Sequence, residues 1–272
     1  MPLEVQTLAE WEAQGQPGLL SVVIPAHDEE GRIESTVRLF ASTLAREHID
    51  YEILVVNDNS RDRTEEILRR LQAELPRVRY INNPPPSGFG FAVRSGLAAF
   101  RGDAVAIVMA DASDVPDDLV RFYRTLQEGY DCVFGSRFTR ESRIVDYPLP
   151  KLMLNRLGNL AIRALFLIRY NDVTNAFKLY RRSVIAGLQP LLAYHFNLTV
   201  ELPLKAIVRG YRYAVIPNSW YNRTEGVSKF KIREMGSRYL FIILYCYLEK
   251  LLSRHDYRGS ELRKSQLQVW SR

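Results

Sequence analysis

Ile53-Leu54-Val55-Val56-Asn57-Asp58 and Val105-Ala106-Ile107-Val108-Met109-Ala110-Asp111-Ala112-Ser113-Asp114 are two apolar runs that each stop on carboxylates. A third run, Leu20-Ser21-Val22-Val23-Ile24-Pro25-Ala26-His27-Asp28-Glu29, ends the same way. Strands of a parallel sheet covered on both faces read as near-continuous hydrophobic runs, and they deliver ligand-binding residues at their carboxyl ends. Three acidic strand ends therefore point to one crevice whose chemistry suits a nucleotide and a divalent cation.

Working outward, Ile33, Val37, Phe40 and Leu44 recur at helical spacing behind the first strand. Asp62-Arg63-Thr64-Glu65 reads as a capped helix start, with Ile67, Leu68, Leu71 and Leu75 on its inner face. Val78 to Ile81 reads as a strand, Asn82 to Ser87 as a proline-rich turn, and Gly90 to Phe100 as a short helix. Pro116-Asp117-Asp118 opens another helix, with proline and acids where a helix start favours them, and Asp131 to Gly135 reads as one more strand. Strands alternating with helices imply a parallel, doubly wound sheet through about Gly135.

The second half differs. Lys151 to Ile168 and Lys231 to Leu252 read as long helices with broad apolar faces edged by basic residues, and Tyr211 to Ile216 as a strand ended by Pro217. Interfacial helices combine those features on anionic membranes, and core or dimer packing explains them equally well. Neither repeat nor low-complexity linker interrupts the chain. The expected organisation is an extension over 1–18, one α/β domain over 19–230, and an amphipathic helix with a tail over 231–272.

Composition narrows the classes. The chain has 272 residues, 47% hydrophobic and 25% charged, which is ordinary for a folded domain. A net charge of +6 suits an anionic partner, but the basic residues are scattered and no groove-reading module is visible, so nucleic acid is not expected. Cys132 and Cys246 have no disulfide or zinc spacing, which fits a reducing cytoplasm. Met1 to Gly15 lacks the apolar core of a secretory signal. The most apolar stretch, Tyr239 to Leu248, is far short of the ~20 residues that span a bilayer, so any membrane attachment is expected to be peripheral. His27, His48, His195 and His255 show no ligand spacing.

Asp111 and Asp114 are separated by small residues and suit a hard cation such as Mg2+ or Mn2+. For Asp114 a helix cap ahead of Pro116 is a competing role. Glu29 and Asp58 have the chemistry to hydrogen-bond a base or ribose, with helix capping as their alternative. Gly88 and Gly90 permit close backbone approach to a ligand or simply make a turn.

Pro25-Ala26-His27-Asp28-Glu29, Val56-Asn57-Asp58-Asn59-Ser60, Gly88-Phe89-Gly90 and Met109 to Asp114 resemble, in order and spacing, the inverting GT-A glycosyltransferases of family 2. Gly135-Ser136-Arg137, Asp172-Val173-Thr174-Asn175-Ala176-Phe177-Lys178 and Arg223-Thr224-Glu225-Gly226-Val227-Ser228-Lys229-Phe230 resemble the dolichol- or polyprenol-phosphate mannose synthase branch. The resemblance runs from about Leu20 to Leu252. It implies a GT-A fold, mostly parallel and Rossmann-like, with a helical C-terminal part.

It also implies transfer of a hexose from a nucleotide-diphosphate sugar, GDP-mannose or UDP-glucose, to a polyprenyl phosphate, with Mg2+ or Mn2+ as cofactor. The nucleotide side then falls on Pro25, Ala26, His27, Glu29, Asp58 and Gly88, and the metal on Asp111 and Asp114. Two residues separate those carboxylates instead of the usual one, and Ala110 stands where a first Asp is expected. Arg137 and Arg223 join the two aspartates as catalytic candidates, with Asn175, Lys178, Arg223, Ser228 and Lys229 toward the acceptor phosphate. The implied location is the cytosolic membrane face, with a homo-oligomer possible in principle. The rivals are a saccharide hydroxyl acceptor, with Glu201 or Asp172 as base, and a non-catalytic nucleotide- or membrane-binding relative.

Overall fold

The computed structural model describes residues 18–221 and 232–253. Its first half runs β1 (Leu20–Ala26), α1 (Ile33–Arg46), β2 (Tyr51–Asn57), α2 (Thr64–Glu74), β3 (Val78–Asn82), α3 (Phe89–Ala99), β4 (Ala104–Ile107), α4 (Pro116–Gln127) and β5 (Cys132–Ser136). Its second half adds β6 (Ile144–Val145), α5 (Leu149–Phe166), β7 (Lys178–Arg181), α6 (Arg182–Gly187) and α7 (Leu198–Val208). The last described elements are β8 (Tyr213–Pro217), β9 (Trp220–Tyr221) and α8 (Ile232–Leu252).

The main sheet has the order β3-β2-β1-β4-β7-β5-β8, and a small second sheet pairs β6 with β9. Period-two alternation divides each central strand between two cores. Leu20, Val22 and Ile24 face α1 and α4 residues such as Phe40 and Phe122, while Val23, Leu54 and Val56 face α3, α5, α7 and α8. Both faces are therefore dry, which explains the uninterrupted apolar runs. Pro25 is tolerated inside β1 because alternation points its missing N–H toward β4, beyond the last paired residues, Val23 and Ile107.

The sheet is mostly parallel and flanked by helices, as expected, with one correction. β7 enters antiparallel between β4 and β5, so the doubly wound order does not run unbroken to Gly135. A second correction concerns the start of α2. Asp62 Oδ1 accepts the Thr64 N–H at 2.9 Å, but Glu65 turns away toward Asn82 and Tyr80 instead of closing a capping box. The helix α7 has Asn197 at its N-cap, Glu201 in its first turn and Lys205 in its last, but Pro203 inside it argues against a helix there.

The long helices α5 and α8 pack beside each other. Lys250 Nζ donates to the Phe166 carbonyl at 2.6 Å, and the Phe166 and Tyr247 rings meet edge to face. Each leaves apolar side chains in water: Leu149, Met153, Leu154, Leu157 and Leu160 on α5, and Leu240, Phe241, Leu244 and Leu248 on α8. Among the described residues, no helix is long and apolar enough to cross a membrane.

Candidate active site

The carboxyl ends of β1 and β2 are in register, Ala26 beside Asn57, and the Asp58 N–H donates to the Ala26 carbonyl at 2.8 Å. His27 Nδ1 lies 2.7 Å from the Asp58 carbonyl oxygen, and its Nε2 is 3.4 Å from Asp28. Asp28 and Glu30 hold the neighbouring loop: Asp28 Oδ1 accepts from Arg61 N and Glu30 Oε2 from Arg63 N. Glu29 stands between them, its own N–H given to Thr64 Oγ1 at 2.9 Å. The capping alternative therefore describes Asp28 and Glu30 better than it describes Glu29.

Asp58 is buried, and both its oxygens have protein donors. Oδ1 accepts from Asn83 Nδ2 at 2.8 Å and Oδ2 from Gly88 N at 2.7 Å. Asn83 in turn accepts from Ser95 Oγ at 2.6 Å. Asp58 thus anchors the turn ahead of α3. Gly88 has φ 149°, which disfavours any side chain, and a Cβ on Gly90 would lie 2.2 Å from the Tyr194 carbonyl carbon. Turn geometry and close chain packing account for both glycines.

The loop that follows β4 carries the acidic pair. Ala112 is held at φ 59°, a left-handed conformation that costs a residue with a Cβ about 1–3 kcal/mol. Asp111, half-buried, accepts from Ser113 N at 3.1 Å. Asp114 does not cap α4: its Oδ2 accepts from Met109 N at 2.9 Å and closes the loop on itself. Burial pushes the Asp114 carboxyl up to about 7, with the negative charge of Asp111 adding to the shift and Arg137 opposing it. A cation beside the two would relieve that unfavourable charge, and their hard oxygens suit Mg2+ or Mn2+. Among the described residues no third His, Cys, Asp or Glu completes a cage. An ion there would need its remaining ligands from substrate phosphate and water, a common arrangement for Mg2+.

Arg137, at the end of β5, is also buried. Its Nε and Nη2 donate to the two oxygens of Asp172, each at 2.8 Å, and its backbone N–H adds a third contact at 2.9 Å. Burial works against the guanidinium charge, and the Asp172 carboxylate outweighs it, so Arg137 stays charged with its pKa raised. Its guanidinium carbon lies 5.5 Å from the Phe138 ring centre and 5.9 Å from that of Tyr147, whose ring packs on Trp220. Trp220 forms a backbone bridge with Asp114, which ties this cluster to the acidic loop.

Other candidates lie elsewhere. Asn175 is buried and donates to the Gly135 carbonyl and to Asn218 Oδ1, both at 3.0 Å. Lys178 is buried within β7, and its Nζ donates to the Val173 and Thr199 carbonyls, each at 3.1 Å. Burial lowers its pKa to about 7. These contacts place both side chains in the fold's interior and not on an open phosphate surface. Arg223, Ser228 and Lys229 lie outside the described residues. Asn83 and Asn218, which sequence reasoning passed over, tie the site's loops together; in the sequence each looks like an ordinary turn asparagine beside proline.

Residues 21–188 match the family described as Glycosyl transferase family 2. The chain is 28% identical over 233 residues to polyprenol monophosphomannose synthase of Mycolicibacterium smegmatis, covering 80% of this chain and 86% of that protein. It is 25% identical over 215 residues to dolichol-phosphate mannosyltransferase of Pyrococcus furiosus, covering 78% of this chain but 59% of the relative. Glucosyl-3-phosphoglycerate synthase from Mycobacterium tuberculosis, solved with Mn2+, UDP and glucosyl-3-phosphoglycerate, superposes with a TM-score of 0.64 at 20% identity. That alignment covers 94% of this chain and 87% of the solved one, and it speaks to the fold.

Proposed function

The chain belongs to glycosyl transferase family 2, and from that premise we propose that it moves a hexose, mannose or glucose, from a nucleotide-diphosphate sugar to a polyprenyl or dolichyl phosphate with inversion. One observation carries the choice of acceptor: the two carboxylates that a hydroxyl acceptor could use as a base are sealed. Glu201 is wholly buried, its oxygens accepting from Leu192 N, Ala193 N and Lys205 Nζ at 2.7, 2.6 and 2.6 Å. Asp172 is wholly buried against Arg137. A phosphate monoester, with a second pKa of ~6, is already a nucleophile near neutral pH and needs no base.

In this reading the acceptor oxygen attacks the anomeric carbon from the face opposite the leaving diphosphate. The C–O bond to the nucleotide breaks as the new one forms, which inverts the centre. The β1 and β2 ends, with Pro25, Ala26, His27, Glu29 and the Gly88 turn held by Asp58, form the nucleoside side. Asp111 and Asp114 would hold a divalent cation, which when bound would supply charge stabilisation for the departing diphosphate. Arg137, kept charged and fixed in direction by Asp172, faces the acceptor phosphate with the donors it does not commit to that pair. The exposed leucines of α5 and α8 meet the membrane surface, peripheral and on the cytosolic side, where a prenyl chain resides.

The test is transfer of label from GDP-mannose and UDP-glucose into an organic-extractable product, with polyprenyl phosphate and Mn2+, beside Asp111→Ala. Labelled lipid that requires metal and Asp111 is expected and names the donor. Donor binding by folded protein without transfer to polyprenyl phosphate would sink the lipid reading and turn attention to hydroxyl acceptors.

A further inference from the structure

Tyr147 lies just ahead of α5 and beside Arg137, with its ring on Trp220 and Lys151 Nζ 5.9 Å from its ring centre. The direction of its hydroxyl is set by Asn155 and Asn159, one helical turn apart on α5. Asn159 is 1% exposed, and its Nδ2 donates to the Asn155 backbone carbonyl at 3.0 Å and to Asn155 Oδ1 at 2.7 Å. A backbone carbonyl only accepts, so the Asn159 atom that meets it is the amide nitrogen. Asn155 therefore turns its oxygen toward Asn159, and Thr174 Oγ1 donates to that same oxygen at 3.3 Å. The Asn155 amide nitrogen is left on the other side, donating to the Tyr147 hydroxyl oxygen at 3.4 Å.

That polarity decides what the phenol can do. Asn155 Nδ2 and the Arg137 guanidinium both act on the Tyr147 oxygen, and both are donors only. Neither can take the hydroxyl hydrogen. Burial holds the phenol's pKa above its usual value, so the hydrogen stays in place near neutral pH. It is directed to a third group, next to the guanidinium. The cost falls at the far end of the relay, where Asn159 Oδ1 has no partner among the described residues. A buried orphan acceptor is rare and lowers stability, and here it follows from the polarity that aims the phenol.

We propose that the Tyr147 hydroxyl donates a hydrogen bond to the acceptor phosphate beside Arg137, and that Asn155 and Asn159 are positioning residues that set the direction of that bond. This rests on the reading of Arg137 as a residue that faces the acceptor phosphate. A phosphate monoester suits the pair because its several anionic oxygens accept from guanidinium and phenol together. A sugar hydroxyl offers a single oxygen.

The test pairs steady-state kinetics, with polyprenyl phosphate and nucleotide sugar varied in turn, with calorimetry of farnesyl phosphate binding to the full chain. Tyr147→Phe keeps the ring on Trp220 and removes only the oxygen. It is expected to raise the KM for polyprenyl phosphate and the Kd for farnesyl phosphate about tenfold, the loss of a hydrogen bond to a charged group. The KM for nucleotide sugar and the circular dichroism are expected to stay unchanged. Asn155→Asp keeps one oxygen toward Asn159 and sets a second against the phenol, whose hydrogen then turns to it. Its added charge repels phosphate in any background, so the double variant isolates the hydroxyl. Asn155→Asp is expected to weaken farnesyl phosphate binding more in the wild type than in Tyr147→Phe. Equal penalties in the two backgrounds, or unchanged affinity and KM in Tyr147→Phe, would overturn the proposal. Tyr147-dependent binding of farnesyl phosphate by a protein that transfers no hexose to polyprenyl phosphate would count against the proposed reaction and leave this site standing. A wild type that neither binds farnesyl phosphate nor uses polyprenyl phosphate would overturn both.

Discussion

Arg137 and Asp172 form a two-point pair, Nε and Nη2 each 2.8 Å from a different carboxylate oxygen, with Asp172 wholly buried. The pair links the end of β5 to the segment ahead of β7 and fixes the direction of a guanidinium whose charge is felt at Asp114. Removing one partner leaves the other charge buried alone. Asp172→Ala is therefore expected to lower the unfolding free energy by about 3–5 kcal/mol. Arg137→Lys keeps the charge but not the fork, and is expected to cost less stability while reducing transfer. Urea unfolding beside kinetics separates the two; equal stability in wild type and Asp172→Ala would refute the pair's structural weight.

The Asp58–Gly88 bond makes a comparable claim about the nucleotide side. Because both Asp58 oxygens accept from the turn, the proposed nucleotide would feel Asp58 through the Gly88 backbone. Gly90→Ala forces a Cβ against the Tyr194 backbone, where no flexible side chain can give way. We expect a loss of about 1–3 kcal/mol from overpacking. We also expect weaker donor binding as the turn shifts, read by titration calorimetry with GDP-mannose and UDP-glucose. Unchanged donor binding with lowered stability would show that the turn does not border the nucleotide.

The strands and their acidic ends were legible because dry parallel strands leave long apolar runs; the loops after Ala26 and Asn57 begin where those runs stop, whereas β4 ends at Ile107, three residues before its run does. β7 was not legible as a strand. It is four residues long and begins with Lys178, whose charge argues for surface until its two carbonyl partners are seen. α7 was hidden by Pro203, and its buried Glu201 and Lys205, with Arg209 just beyond its end, carry charges that by themselves argue for surface. They are instead an internal ladder: Arg209 pairs with Glu249 of α8 at 2.7 Å, and Lys205 Nζ reaches the Pro190 carbonyl at 2.5 Å. A sequence states charge, but burial depends on partners distant along the chain. Arg137 was legible as a candidate and illegible as buried for the same reason.

Lys178 gives a pH signature. Burial lowers its pKa to about 7, against 10.5 for a free lysine. Between those values the unfolded chain binds a proton that the folded one does not, so this group's contribution to stability rises with pH across the window. Below about 7 both states carry the charge and the contribution is flat. The stability of wild type relative to Lys178→Met is expected to rise by up to about 1.4 kcal/mol per pH unit above neutrality. Urea unfolding of both proteins at a series of pH values checks it. A difference that is constant with pH would mean that Lys178 stays charged in the fold.

Asp111 and Asp114 differ in what they hold, and that difference separates their variants. Asp111 is half-buried with a light tie to Ser113 N, whereas Asp114 closes the loop onto Met109 N. Asp111→Asn is expected to leave the metal-free fold unchanged, and Asp114→Asn to keep the loop, because the amide oxygen still accepts from Met109. Both are expected to lose the thermal stabilisation by Mn2+ expected of the wild type, about 2.7 kcal/mol at a hundredfold excess over Kd. Transfer should fall by at least about a hundredfold in each, since a cation contributes several kcal/mol to a transition state that builds charge on a leaving diphosphate. Mn2+ stabilisation that survives in Asp111→Asn but not in Asp114→Asn would assign the ion to Asp114 and leave Asp111 to another part of the donor. Retention in both variants would move the ion out of this loop altogether.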